Sequence, residues 1–220
     1  MSIPSRSRRG LTLLELLISG TLLILILGGV GKTSLRGLRM FELNSANNEI
    51  NGRAGRVIDR VVRALIAARS NDVAAALETP AGAPTVWSTT LDFPTALEWS
   101  GGSAVWSATE RISLEFVPGE IDNGLDDNGN GLIDEGRIVH TFNVGLPDES
   151  GVVLVNGVSE LLEGETLNGI DDNGNGLIDE PGFCFSLEGR ALRVRLTLEK
   201  DRGGEGQIIR SVEDSLTIRN

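Results

Sequence analysis

One long apolar stretch near the N-terminus constrains this chain most. Residues 11–30 contain a single charged side chain, Glu15. A helix rises about 1.5 Å per residue, so the stretch would be about 30 Å long, the thickness of the hydrocarbon core of a bilayer. Residues 1–10 carry arginines and no acid, and an excess of arginine keeps such a flank in the cytoplasm. The stretch predicts one membrane-spanning helix, with a cytoplasmic leader and the rest of the chain outside the inner membrane.

A secretory signal peptide also has a basic start and an apolar core. In that case a cleavage site of small residues would follow the core, where Gly28, Gly29 and Gly31 are weak candidates. The better junction lies before the apolar stretch, at Gly10, and the stretch is longer than an ordinary signal core. These observations favour a retained helix over residues 11–31.

The junction at Gly10 has a specific pattern. Leu11 follows it, and Glu15 stands five residues after Gly10 within the apolar stretch. This segment resembles the cleavage and methylation segment of type IV prepilins and type II secretion pseudopilins, although that family more often has Phe where this chain has Leu11. The resemblance implies that a prepilin peptidase cuts after Gly10 and methylates the new amine of Leu11. It also implies other pilins or pseudopilins as partners, bound through the N-terminal helix.

Glu15 is an assembly residue by the same reasoning. An ionised carboxylate within hydrocarbon is costly and normally has a cationic partner. The amine of Leu11 on a neighbouring subunit would supply one, and in the family this pair sets the register of subunits in a filament. The alternative is an ordinary single-pass anchor, in which Glu15 lies shallow and reaches the headgroups.

Beyond the span, the chain divides into a stalk and a head. Residues 32–79 carry apolar side chains at helical spacing and predict an amphipathic helix to about Ser70, then a short helix to Leu77. Residues 80–220 contain short segments of β-formers separated by Gly, Pro and Asp. The predicted fold is α+β and pilin-like, with the long N-terminal helix packed on an antiparallel sheet head. The predicted strands are 85–90, 104–106, 111–117, 137–144, 151–155, 183–187, and a hairpin of 191–199 with 207–218.

The negative charge of the chain is concentrated in two segments. Residues 120–135 contain six acidic side chains and residues 165–180 contain five, with no basic ones. Together they account for the whole excess of 31 acidic over 20 basic residues. The segment from Asn123 to Glu135 recurs 45 residues later with one substitution. The acidity therefore belongs to two loops with one chemistry, and no nucleic-acid partner is predicted.

The repeated loop resembles the opening of an EF-hand. Ca²⁺ takes about six to eight oxygen ligands, and Asp-x-Asn-x-Asn-Gly supplies side-chain oxygens and a sharp turn. The next residue would add its carbonyl, and the following Ile133 would point to the core. The twelfth EF-hand position falls on Arg137 in one loop and Gly182 in the other, so closure must come from the Asp or Glu that ends each loop. The predicted ligands for one or two calcium ions are Asp126, Asn128, Asn130, Leu132, and Asp134 or Glu135, with Asp171, Asn173, Asn175, Leu177, and Asp179 or Glu180 in the second loop.

Plain acidic turns at hairpin tips are the alternative to calcium loops. A turn needs only one Asn-Gly pair, however, and each loop has several. So many acids in a short loop also repel one another unless a cation is bound. The loops are therefore more similar to the shortened calcium repeats of secreted bacterial proteins.

No catalytic signature stands out, and the chain is not predicted to be an enzyme. His140, the only histidine, lies in a strand-like segment and is predicted to be structural or exposed. The single Cys184 excludes an intrachain disulfide and is predicted to be a buried strand residue. The tryptophans Trp87, Trp99 and Trp106 are predicted to pack in the core and sheet, with a sugar-binding or tip-contact surface as the alternative.

The resemblance implies a minor pseudopilin, a structural subunit of a type II secretion pseudopilus in its assembly or tip complex. Size, the long helix and the closing hairpin look similar to the J subunit. The alternative within the family is a minor type IV pilin resembling the W subunit, for adhesion, motility or DNA uptake. An alternative of another class is a membrane-anchored extracytoplasmic calcium-binding adhesin or enzyme. Each implies a periplasmic or extracellular head.

Overall fold

The computed structural model describes residues 12–69, 72, 73, 77, 87–204 and 206–217. The junction between Gly10 and Leu11 lies outside these residues, as does most of the predicted short helix before Leu77. The described chain has one long helix followed by an antiparallel sheet, which confirms the α+β class. It divides into two compact units, residues 1–46 and residues 47–220.

The described chain has one long helix and eight strands, and the described residues Asp72, Val73 and Leu77 are also helical, within the predicted short helix. The helix α1 runs from Leu13 to Ile66. All strand pairings are antiparallel, in the order β1-β6-β7-β5-β4-β3-β2, and β8 also pairs with β7. The strands are β1 (Trp87–Ser88), β2 (Thr90–Ser100), β3 (Ser103–Phe116), β4 (Gly136–Phe142), β5 (Ser150–Val158), β6 (Phe183–Glu188), β7 (Ala191–Asp201) and β8 (Gln207–Thr217).

In the larger unit, α1 buries one stripe of apolar side chains against the sheet. The helix ends at Ile66, earlier than the predicted Ser70, because Ala68 forms a β-bridge with Thr95. The backbone after Ile66 is therefore paired with the edge of β2 and cannot continue the helical hydrogen bonds. The buried stripe recurs every three or four residues, the spacing of one helix face: Ile50, Ala54, Val57, Ile58, Val61 and Leu65.

The sheet differs from the predicted strands mainly at β2 and β3. Most of β2 lies outside the predicted strands, since Pro94 within it indicates a break. β2 is at the edge of the sheet, where a missing N–H is tolerated. The predicted strands 104–106 and 111–117 are one strand, β3, paired on both sides. The predicted closing hairpin is confirmed, because β7 and β8 pair from Ala191↔Thr217 to Asp201↔Gln207.

Candidate metal centres

Both acidic repeats form closed loops that lead into strands. Loop 1 (117–135) joins β3 to β4, and loop 2 (162–180) lies between β5 and β6. A backbone hydrogen bond closes loop 1, where the N–H of Val117 donates to the carbonyl of Glu135 at 3.2 Å, and the equivalent bond closes loop 2 at 2.9 Å. The repeated structure therefore begins earlier in the chain than the repeated sequence.

The first aspartate of each repeat organises the loop backbone. Asp126 Oδ1 accepts the N–H groups of Gly129 at 2.7 Å and Asn130 at 3.1 Å, and Oδ2 accepts that of Gly131 at 2.8 Å. Asp171 accepts the three equivalent bonds in loop 2, at 2.7, 3.1 and 2.8 Å. A carboxylate has about four lone-pair positions. One position therefore remains on each aspartate for a further partner.

A second aspartate fastens the end of each loop to its beginning. Asp134 accepts the N–H groups of Asn123 at 3.1 Å and Gly124 at 2.6 Å. Asp179 accepts the equivalent pair at 3.0 and 2.8 Å. Both aspartates have positive φ, 51° and 49°, which is uncommon outside glycine. These carboxylates hold the backbone of each loop, and by the same count of lone pairs each keeps at least one position for a further partner.

Those glutamates, Glu135 and Glu180, are buried and only half partnered. Their exposed fractions are 1% and 0%. Glu135 Oε1 accepts the side-chain amides of Asn128 at 2.9 Å and Asn130 at 2.6 Å, and the asparagines of loop 2 donate in the same way to Glu180. Oε2 of each glutamate has no hydrogen-bond partner among the described residues. A buried carboxylate oxygen without a partner is costly, so each loop presents an unsatisfied anionic acceptor.

The asparagines of each loop also carry amide oxygens that accept backbone N–H groups. Asn128 Oδ1 accepts the N–H of Asn130 at 3.0 Å, and Asn130 Oδ1 accepts that of Leu132 at 2.9 Å. The equivalent bonds in loop 2 are the same lengths, 3.0 and 2.9 Å. An amide oxygen has two lone pairs, so one remains on each asparagine. Amide and carboxylate oxygens are donors of the kind that Ca²⁺ takes, but in this structure both asparagines face Glu135 through their amide nitrogens.

A further glutamate, absent from the predicted ligands, also belongs to each loop. Glu120 Oε1 accepts the backbone N–H of Asn128 at 2.8 Å, and Glu165 Oε1 accepts that of Asn173 at 3.0 Å. Glu120 is 5% exposed, and Oε2 of Glu165 is buried with no partner in the described chain. The sequence carries a signal for both, because they are separated by the same 45 residues as the repeats.

A leucine anchors each loop in the head. Leu132 and Leu177 are 7% and 2% exposed, whereas Ile133 and Ile178 are 47% and 43% exposed. The prediction that Ile133 points to the core is therefore wrong. Loop 1 leads into a strand and not into the helix of an EF-hand, and Leu132 reaches the sheet at Gly157. A Cβ at Gly157 would lie 3.7 Å from Leu132 Cδ1.

Acidic side chains crowd the surroundings of loop 1. Carboxylate oxygens of Asp122, Asp134 and Glu160 lie within 4.8 Å of one another. Partial desolvation, and then the two aspartates, raise the pKa of Glu160. Burial, followed by the charges of Glu135 and Glu160, raises the pKa of Glu199 to about 7. These carboxylates repel one another when ionised. They therefore add to the negative charge around loop 1.

Loop 2 lies beside a cation of the protein itself. Its asparagines Asn173 and Asn175 line a cavity of about 270 Å³ together with Arg195. The indole N–H of Trp87 donates to the carbonyl of Ile178 at 3.0 Å, which places a tryptophan against this loop. The same loop sequence thus faces several carboxylates in one half of the head, and in the other a cavity where Arg195 is paired with Glu213.

The start of α1 holds Glu15 in a capping box. Thr12 donates its N–H and its hydroxyl to Glu15 Oε2, at 2.9 and 3.1 Å, and the N–H of Glu15 donates to Thr12 Oγ1 at 3.2 Å. This reciprocal arrangement satisfies donors that the first turn of a helix leaves free. The Thr-x-x-Glu spacing is typical of such a cap. The prediction of Glu15 as an intersubunit residue does not include this cap. Glu15 has a partner within its own chain.

The first part of α1 has the length and composition of a membrane span. A window of 18 residues has a mean hydropathy of 2.3, and none of it is buried. Exposed apolar side chains continue after it at Leu35, Leu38 and Phe41, which are 64%, 61% and 72% exposed. A helix with these properties can cross a membrane or act as a signal sequence. The predicted processing residues Gly10 and Leu11 lie outside the described residues.

Other candidate residues are structural or exposed. His140 Nε2 lies 2.8 Å from Glu110 Oε2, among phenylalanine rings. Cys184 is buried in β6, and burial raises the pKa of its thiol to about 12, so the reactive thiolate is scarce at neutral pH. Trp99 is 74% exposed near the turn between β2 and β3. The prediction that the tryptophans pack inside is wrong for Trp99, because the described residues leave it exposed at the tip of this hairpin.

Comparison with protein-family models, with curated proteins and with solved structures finds no match.

Proposed function

We propose that this chain is a membrane-anchored, pilin-like assembly subunit whose β-rich head is stabilised by calcium in loop 1 and loop 2. One observation carries the proposal. The single helix α1 contains an exposed apolar segment of membrane length and, in the same element, the stripe that packs on the sheet. An exposed apolar surface of this size needs a lipid or protein partner.

Two features of α1 favour assembly over simple anchoring. Leu35, Leu38 and Phe41 extend the exposed apolar surface beyond the length that a bilayer covers, so a protein partner suits them better than lipid. Glu15 is the only charge in the apolar stretch, and it is costly there unless a cationic group is near. In a helical filament, a neighbouring subunit supplies both the protein surface for the apolar side chains and the cationic group for Glu15.

Within this class we place the chain as a minor pseudopilin of type II secretion, with the minor type IV pilin as the alternative. Processing at Gly10 and Leu11 by a prepilin peptidase and an inner-membrane location with a periplasmic head belong to the same proposal. The residues of the N-terminal junction and the closing hairpin of β7 and β8 support it. Deletion of the gene in the native host separates these two assignments. Loss of secretion with pili retained supports the pseudopilin, and loss of pili with secretion retained supports the type IV pilin.

Mass spectrometry of the native N-terminus tests the assembly class. A mature chain that begins at methylated Leu11 is expected. A chain that still begins at Met1 would contradict the proposal and leave the anchored adhesin or enzyme as the better assignment.

The capping box allows a sharper test of Glu15. Glutamine at this position also completes a capping box, so Glu15→Gln removes the charge and keeps the cap, whereas Glu15→Ala removes both. If the charge sets subunit register, both variants insert in the membrane and neither is incorporated into filaments. Normal incorporation of Glu15→Gln with failure of Glu15→Ala would assign Glu15 to the cap alone.

The calcium part of the proposal rests on the buried, unpartnered oxygens of Glu135 and Glu180. At a calcium concentration about a hundredfold above its Kd, one site adds about 2.7 kcal/mol to the free energy of unfolding. For a chain of this size that raises the melting temperature by roughly 5 to 10 °C per site. Mg²⁺ is the matched control, because it demands a smaller octahedral site and keeps its water. Equal melting temperatures in calcium and in chelator would mean that the loops are plain acidic turns. That result would not affect the proposal of a membrane-anchored assembly subunit.

A further inference from the structure

Strand β5 has an open edge along most of its length. It pairs with β4 throughout, but with β7 only at Val158↔Leu198. On that second side, residues 150–157 have no strand partner in the described chain. Val152 and Val153 are 51% and 44% exposed. An edge of this kind presents backbone N–H and C=O groups that can pair with an added strand.

A row of arginines from α1 lies along a groove at this strand. Arg53, Arg56 and Arg60 line a cavity of about 170 Å³ with Leu154 and Val155 of β5. Their spacing of three and four residues puts them on one face of the helix. None of the three forms an ion pair with another described residue. Guanidinium groups in this position attract carboxylates, which they bind in bidentate geometry.

We propose that this α1–β5 groove binds an extended acidic segment of a partner protein. The segment adds to the open edge of β5 as a strand, and its carboxylates meet Arg53, Arg56 and Arg60. Main-chain hydrogen bonds supply affinity in such complexes, and side chains supply specificity. A second copy of this chain is a poor occupant, because its acidic excess is held in loop 1 and loop 2, which are closed by their own hydrogen bonds. The site stands on residues 47–220 and depends on neither the membrane anchor nor calcium.

Fluorescence anisotropy with the full chain in detergent micelles tests the proposal. The probe is a labelled peptide of about eight residues that alternates Glu and Val, the length needed to span the open edge. One matched peptide has Lys in place of Glu, and another carries backbone N-methyl groups at alternate positions. We expect the acidic peptide to bind, the Lys peptide not to bind, and N-methylation to weaken binding about tenfold or more, because it removes strand hydrogen bonds.

Charge reversal locates the site. Arg56→Glu combined with Arg60→Glu should weaken binding of the acidic peptide about a hundredfold. Arg190→Glu, in the turn between β6 and β7 and outside the groove, is the matched control and should keep the affinity of the parent. All three side chains are exposed, so unchanged melting curves are expected. Equal binding of the Lys or N-methylated peptide, or indifference to the double reversal, would overturn the proposal. Self-association that the double reversal abolishes would assign the groove to a second copy instead.

Discussion

Loop 1 and loop 2 have the same internal geometry but different surroundings. In each, one aspartate holds the turn, and a buried glutamate keeps an oxygen without a partner. Glu160 and Glu199 stand near loop 1, whereas the ion pair of Arg195 with Glu213 stands near loop 2. The repeat therefore encodes the arrangement of oxygens, and the surrounding sheet sets how strongly that arrangement needs a cation. We expect loop 1 to bind calcium more tightly than loop 2.

The largest expected effect tests what the two loops share. Leu132→Ala and Leu177→Ala should each lower the free energy of unfolding by about 3 to 4 kcal/mol, because truncating a buried leucine leaves a cavity. Ile133→Ala and Ile178→Ala are the matched controls and should cost less than about 1 kcal/mol, since both side chains are half exposed. Urea unfolding in chelator measures all four variants. A greater loss at the isoleucines would show that they, and not the leucines, anchor the loops.

The second prediction is that two glutamate substitutions change the free energy of unfolding in opposite directions in calcium and in chelator. In saturating calcium, Glu135→Gln and Glu180→Gln should each lose about 2 to 3 kcal/mol of stability, because each loses one site. In chelator each should be as stable as the parent or more stable, because a neutral amide is less costly to bury than a partly unpaired carboxylate. The change should be larger for Glu135, which lies closer to other acids. Equal destabilisation in both buffers would make the glutamates structural only.

The third prediction concerns pH and loop 1 alone. The folded-state pKa of Glu199 is about 7, above its ordinary 4.5, so the folded protein binds the proton more tightly than the unfolded chain. This contribution to stability is present below about pH 4.5 and is lost as pH rises to about 7. The loss should be about 2 kcal/mol after allowance for partial exposure. Glu199→Gln should remove this part of the slope in chelator, and calcium should reduce it in the parent. An unchanged slope in the variant would exclude Glu199 as its source.

The smallest expected effect is the difference in calcium affinity between loop 1 and loop 2, about five- to tenfold, or about 1 kcal/mol. Trp87 contacts loop 2, so tryptophan-sensitised luminescence of Tb³⁺, a calcium substitute, reports on that loop. If loop 1 fills first, emission should lag until about one equivalent of Tb³⁺ has bound. Trp87→Phe should abolish the emission and leave the total bound Tb³⁺ unchanged. Emission that rises from the first addition would contradict the order of filling.

Much of the fold could be predicted from short-range pattern. The alternation in residues 191–199 predicts β7 because its apolar side chains share one face, although the structure also buries Arg195 and Thr197 on the other face. The apolar spacing of residues 50–65 predicts the packed part of α1, because it matches one face of a helix. β2 could not be predicted from such a pattern, because Pro94 indicates a break in a strand. Pro94 is tolerated only because β2 lies at the edge of the sheet. The short gap between the two predicted parts of β3 closes because β2 pairs with Thr109 and Glu110 inside it.

The candidate sites divide in the same way. The repeat predicts Asp126 and its asparagines as ligands because their spacing is a local property of the loop. It leaves Asp134 and Glu135 as equal candidates for closure, since they are adjacent in the chain. Their contacts differ in the structure, because Asp134 accepts backbone N–H groups, whereas Glu135 accepts two side-chain amides and keeps one oxygen without a partner among the described residues.

The sequence by itself determined the apolar helix, the capping residues at its start and the two oxygen-rich loops. Each depends on residues within a few turns or bonds of one another, so spacing alone defines it. Only the tertiary structure decided that Glu199 lies near loop 1 and Arg195 near loop 2, and that β5 keeps an open edge beside the arginines of α1. These groups are far apart in the chain. Electrostatic energy and strand pairing depend on distances in space, and only the folded sheet sets those distances.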